Sequence, residues 1–164
     1  IRSLLPALFM PVSVRRLLLG VGVFLAQWFV FGRLHVYGAH PDVVLLFLAW
    51  YALREGRRKA SLVGFVLGLA LDAVHGSWGV HMFVKTLVGF LLGLFALDER
   101  DPLFIQPQQA FLGGLLVALL HNGLLVALLS LQTKTTNDFL VYALWLGSAL
   151  YTAIVALLSS LVRP

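Results

Sequence analysis

Cysteine is absent from the 164 residues, which removes disulfides, thiolate nucleophiles and thiolate metal sites at once. Charge is scarce: Asp, Glu, Lys and Arg make up 12% of the chain, against about 25% in soluble domains. With 60% of the residues apolar, too little charge is left to cover a water-facing surface, and a soluble globular domain is excluded. The same hydrophobicity excludes a disordered chain. No HExxH, GxSxG or Walker sequence occurs. Only one carboxylate, Asp72, falls inside an apolar run, so a pair suited to acid–base catalysis within a membrane is missing. The sequence assigns no catalytic residue, no metal ligand set and no cofactor. It reads as a binding protein rather than an enzyme.

What is present is long apolar runs. A hydrocarbon core of about 30 Å takes roughly 20 helical residues. Six segments approach that length: 17–34, 41–53, 60–75, 80–97, 110–131 and 139–162. Their apolar runs are too continuous for barrel strands, which alternate between faces. The expected fold is therefore all-α, a single polytopic domain over 1–164 with six transmembrane helices. Joining the second and third segments would bury Arg54, Glu55, Arg57, Arg58 and Lys59 in mid-membrane, so a break is expected there. Pro41-Asp42 suits a helix start, and Thr135-Thr136-Asn137-Asp138 offers caps for the last helix. The stretch over 1–14, with Pro6 and Pro11, reads as an interfacial segment rather than a cleavable signal.

The net charge of +5 resolves into topology. Six spans put both ends on one side, with Arg2, Arg15, Arg16, Arg54, Arg57, Arg58, Lys59, Arg100 and Arg163. Arg33 and Lys134 lie opposite, and Lys85 lies within a span. The positive-inside rule places both termini in the cytoplasm. Arg15, Arg16, Arg54, Arg57, Arg58 and Lys59 then meet membrane lipid headgroups. No separate basic domain exists, so nucleic acid is not needed to explain the charge. The polar run over 98–102 reads as a loop.

Residues 64–93 carry the sharpest pattern. Gly64, Gly68, Asp72 and Gly76 recur every four residues, as do His81, Lys85, Gly89 and Gly93. Residues four apart share a helix face. Folding the two helices about the 75–79 turn sets Gly64 against Gly93, Gly68 against Gly89, Asp72 against Lys85 and Gly76 against His81. Lipid supplies no hydrophobic drive to helix association, so glycine contacts and polar bonds must supply it. The expectation is a glycine-packed hairpin with an intramembrane Asp72–Lys85 ion pair. That pair is either structural or part of a polar site for a partner.

Gln27, His121 and Asn122 lie inside other spans, and Ser148 and Thr152 stand four apart on the last. They either hydrogen-bond between helices or, with His81, line a cavity or contact a partner. His35, His40, His75 and His81 come from separate loops near the outer face without compact ligand spacing, which points to interfacial placement rather than a metal site. Gly20, Gly22, Gly113 and Gly114 offer small faces for partner helices.

The order of these features resembles the MreD family of rod-shape-determining membrane proteins. The matching residues are Pro41-Asp42 opening an apolar helix, the basic break over 54–59, then Gly64, Gly68, Leu71-Asp72, Gly76, Gly79, Gly89 and Gly93. The resemblance spans most of 15–160. It implies a non-enzymatic, multi-pass protein of the bacterial inner membrane that works with MreC, with RodA and with its class B penicillin-binding protein partner. Together these direct peptidoglycan synthesis along the side wall. The family is similar in fold to the substrate-binding components of energy-coupling-factor transporters. A vitamin or small-molecule transport component is therefore the alternative reading.

Overall fold

Helix α1 (Val12–Phe29) follows Pro11 and is apolar on nearly every face, with only Gly20 and Gln27 buried. A single 3₁₀ turn, Phe31–Arg33, follows it. The computed structural model describes residues 11–97, 106–133 and 137–162. Arg2, Arg100, Lys134 and Arg163, the first ten residues, and the 98–102 run lie outside the described residues. In the loop after α1, Tyr37 (φ 51°) and Gly38 (φ 84°) are both left-handed. This tight turn is closed by reciprocal bonds between Val36 and Ala39 at 2.9 and 3.0 Å.

Helix α2 (Val43–His75) starts at Asp42, whose side chain accepts from the Leu45 N–H at 2.8 Å. It is broken at Gly56, where φ is 78° and ψ is 174°, into limbs over 43–55 and 57–75. The break expected over 54–59 is thus a single residue. Glycine takes this left-handed conformation without the Cβ clash any other residue meets, and the second limb resumes at Arg57. The limb ends at Gly76, also left-handed.

Helix α3 (Val80–Gly93) packs along the second limb of α2. It stops four residues short of the segment read from the sequence. After a tightened turn, the Leu97 N–H bonds back to Leu53 O at 2.9 Å. Helix α4 (Pro107–Thr133) has proline at its first position, where no intrahelical N–H is needed. Asn137 then accepts from the Leu140 N–H at 2.9 Å. A π-helical stretch, Leu140–Gly147, leads into α5 (Ser148–Leu161), which packs on α4.

One apolar cluster joins Leu45, Val84, Val88, Ala118, Leu125 and Ala149 from α2, α3, α4 and α5. A second joins Val44, Leu67 and Leu71, with Val23 and Phe24 of α1 packed against it. Large apolar side chains, among them Leu17, Leu62, Phe83, Leu116 and Leu158, cover the outside of the bundle. By length and composition, Val12–Arg33, Pro107–Gln132 and Leu140–Leu161 are each able to cross a membrane, and Val80–Gly93 is apolar but shorter.

Candidate functional site

The glycines do bring the α2 and α3 backbones together, but in a different register. A Cβ added at Gly64 would lie 2.4 Å from Lys85 O, and one at Gly68 2.5 Å from Met82 Cα. At Gly89 it would lie 2.6 Å from Ala60 O, and at Gly93 2.4 Å from Arg57 Cα. Each glycine therefore faces backbone seven or eight residues, about two helical turns, away from the glycine expected opposite it. One missing side chain is enough for close approach, so the two glycine rows are staggered rather than opposed. Gly76 makes no packing contact; a Cβ there would meet nothing within 4 Å, and its role is to end α2.

This register separates Asp72 from Lys85. Asp72 instead lies level with the turn. It accepts from the N–H groups of Gly79, His81 and Met82 at 3.0, 3.0 and 2.9 Å, and from Ser77 Oγ at 3.0 Å. His81 Nδ1 lies 2.9 Å from it. The first N–H groups of a helix have no intrahelical acceptor, and a carboxylate there satisfies them and complements the helix dipole. The hairpin closes on this cap. His81 is thereby tied to the turn rather than turned toward a cavity.

Lys85 is fully buried and donates to Asp42 Oδ2 at 2.6 Å. Asp42 was legible as a helix start, not as the partner of Lys85. Its Oδ1 caps α2 while Oδ2 holds the ammonium, so one carboxylate does both. Lys85 Nζ also lies 3.3 Å from His121 Nε2. An ammonium only donates, so Nε2 accepts and the imidazole proton sits on Nδ1. That Nδ1 donates to Asn122 Oδ1 at 2.9 Å. Trp145 Nε1, on the neighbouring π-helical stretch, donates to Leu119 O at 3.0 Å.

The same knot fastens the other segments. Gln27 of α1 uses both ends of its amide: Nε2 donates to Pro41 O at 3.0 Å, and Oε1 accepts from the Val43 N–H at 2.8 Å. The Asp42 N–H donates to Thr152 Oγ1 at 3.0 Å and the His40 N–H to Ser148 Oγ at 3.2 Å. Gln27, Lys85, His121, Asn122, Ser148 and Thr152 are all buried. Each helix thus sends at least one polar group to the point where α2 begins. Sequence reasoning missed Asp42, Ser148 and Thr152 as members of one cluster. The signal was an acid at the mouth of an apolar run whose second oxygen had no assigned partner.

His40, in the loop before α2, packs its ring 5.5 Å from that of His35. Burial pushes its imidazole below the ordinary value of 6.5, and the nearby Asp42 carboxylate opposes that shift. The small faces divide. Gly20 lies against Phe47 and Gly114 against Ala156, whereas a Cβ at Gly22 or Gly113 would meet nothing within 4 Å. Of the six basic residues expected at headgroups, Arg15, Arg57, Arg58 and Lys59 are exposed, and Arg16 and Arg54 are half-buried. Arg16 and Lys59 pair with Glu55.

Two clefts of about 540 and 1040 Å³ open on the bundle. Neither is lined by Gln27, His81, His121 or Asn122. Among the described residues, no three His, Asp or Glu side chains gather as a metal site. The arrangement is suited to fastening helices, since its polar groups bond to one another across α1, α2, α3, α4 and α5.

The family model of rod shape-determining protein MreD matches the chain over residues 4–164. No curated protein matches the chain. No solved structure matches it.

Proposed function

Because the chain belongs to the MreD family of rod shape-determining proteins, we propose that it is a non-enzymatic scaffold and regulator of the bacterial elongation machinery. In this reading it binds MreC and the RodA–class B penicillin-binding protein pair within the inner membrane. The observation that carries the reading is how the buried polar groups are used. Lys85, Asp42, His121, Asn122 and Asp72 all bond to other groups of the same chain. What the bundle offers outward is apolar helix surface, the material of helix–helix recognition.

Six spans with both ends cytoplasmic is the topology that fits this role. Its support is the Gly56 break, which gives α2 limbs of roughly 20 and 28 Å at about 1.5 Å per residue. In this topology the exposed Arg57, Arg58 and Lys59, which follow the break, would lie at the cytoplasmic headgroups.

The test is affinity purification from membranes of a rod-shaped bacterium, with partner identification and scoring of cell shape after depletion. Recovery of MreC and the synthase pair, with rounding of depleted cells, is the expected result. Rounding without recovery of any of them after cross-linking overturns the binding claim. Recovery of transport ATPases with a bound vitamin overturns the scaffold reading.

A further inference from the structure

The α2–α3 turn brings two histidines together. His75 is the last residue of α2 and His81 lies in the first turn of α3. Their rings are stacked, with centroids 5.4 Å apart and planes 23° apart. Both rings are held by the same nitrogen. His75 Nδ1 lies 2.9 Å from Leu71 O, and His81 Nδ1 lies 2.9 Å from Asp72 Oδ1. A carbonyl and a carboxylate only accept, so in each neutral imidazole the proton sits on Nδ1 and Nε2 keeps its lone pair. Leu71 and Asp72 are neighbours in the last turns of α2. Both rings are therefore anchored toward α2, and both Nε2 atoms lie on the far side of the rings from their anchors.

An imidazole tied through one nitrogen to a carbonyl or carboxylate is the common arrangement of a metal ligand, because that bond fixes the ring and raises the basicity of the other nitrogen. The spacing agrees. Two Nε2 ligands at about 2.0–2.1 Å from one ion, set at a tetrahedral angle, put their ring centroids roughly 5 Å apart. The observed 5.4 Å is close to that value, and His75, being exposed, is free to turn the small remaining amount. His81 is half-buried, so the pair opens to water on the side of His75. The Asp72 carboxylate beside His81 offsets part of the charge of an ion held there. Two ligands, against the four of a closed structural site, make an exchangeable site whose other positions are filled by water.

We propose that His75 and His81 together bind one divalent transition-metal ion of the class that favours imidazole, Zn²⁺ or Cu²⁺, through their Nε2 atoms. The ion bridges the end of α2 to the start of α3 across the turn that Asp72 already caps. Binding to the folded hairpin alone adds to its stability. The proposal goes beyond the scaffold reading and rests on no partner protein.

The purified full chain in detergent, free of any histidine tag, supplies the test. Calorimetric titration with zinc chloride and copper chloride is expected to show one ion bound per chain, Cu²⁺ more tightly than Zn²⁺. A group that only orients a metal ligand is worth about 10–100-fold in affinity. His75→Gln removes a ligand itself, from an exposed position, and is expected to weaken binding by at least about ten-fold. His35→Gln, in the neighbouring loop, is expected to leave it unchanged. Trp78 stands three residues from each histidine, so Cu²⁺ is expected to quench the unaltered chain more than the Trp78→Phe variant. Labelling of imidazoles with diethyl pyrocarbonate, mapped by mass spectrometry, needs no variant and decides the matter if His75→Gln fails to fold. Zn²⁺ is expected to protect His75 and His81 and to leave the exposed His35 labelled. Absence of saturable binding overturns the proposal. So does an affinity unchanged in a folded His75→Gln variant, equal weakening by His35→Gln, or equal protection of His35, His75 and His81, which marks adventitious ions only. Loss of MreC binding leaves all these readings unaffected and bears only on the scaffold reading.

Discussion

The Lys85 ammonium lies 2.6 Å from Oδ2 of Asp42, a carboxylate whose other oxygen caps the helix on which it stands. Removing either partner strands a charge in the bundle, and breaking a buried pair costs about 3–5 kcal/mol. Asp42→Asn and Lys85→Gln are each expected to destabilise the protein by that order. The double variant is expected to cost clearly less than their sum, because it strands no charge. Unfolding measured in detergent for all four proteins checks this; additive costs contradict the pairing.

Asp72 is predicted to behave independently of Lys85. Asp72→Asn replaces one acceptor oxygen with an N–H₂ group facing the Gly79 and Met82 N–H groups, or the Ser77 hydroxyl and the His81 N–H. A loss of about 1–3 kcal/mol is expected from the uncapped N–H groups. Combined with Lys85→Gln, the effects are expected to add within about 0.5 kcal/mol. Strong coupling in the cycle would restore the Asp72–Lys85 pairing that the sequence suggests.

The glycines are expected to separate sharply. Gly64→Ala forces a methyl toward Lys85 O, where a Cβ would sit at 2.4 Å, and overpacking of this kind costs about 1–3 kcal/mol. Gly113→Ala meets nothing and is expected to be neutral or to stabilise by up to about 1 kcal/mol, since alanine is the better helix former. Thermal stability of the two variants in one detergent decides the matter.

His40 gives the stability a pH dependence of known sign. Its folded imidazole lies below 6.5, so the unfolded chain takes up a proton first as pH falls. The contribution is complete above that value and is lost as pH drops through it toward the folded value. His40→Gln is expected to flatten this acid limb of the unfolding profile, and an unchanged slope counts against the assignment.

Much of this architecture is written locally and part of it is not. The apolar runs mark the helices, and the charges around Gly56 mark the break, because a buried charge is costly wherever it falls. The glycine rows mark which faces of α2 and α3 meet. The register escapes a two-helix reading, since it is set by Asp72 capping Gly79, His81 and Met82 rather than by matching glycines. The partner of Lys85 escapes it too, because Asp42 lies 43 residues earlier and is brought near by Gln27 and Thr152 of other helices. The π-helical stretch that carries Trp145 leaves no mark in the apolar pattern.

In the proposed function, the buried polar cluster serves to fasten the bundle rather than to carry out chemistry. Asp42→Asn with Lys85→Gln keeps hydrogen-bonding groups and removes the ion pair, leaving His121 as the cluster's ionisable side chain. Expressed in a rod-shaped bacterium depleted of its own MreD, and checked for normal abundance and thermal stability, this double variant is predicted to restore rod shape. Round cells containing a stable, membrane-resident double variant would contradict the account, since a charge would then be needed for more than holding the helices together.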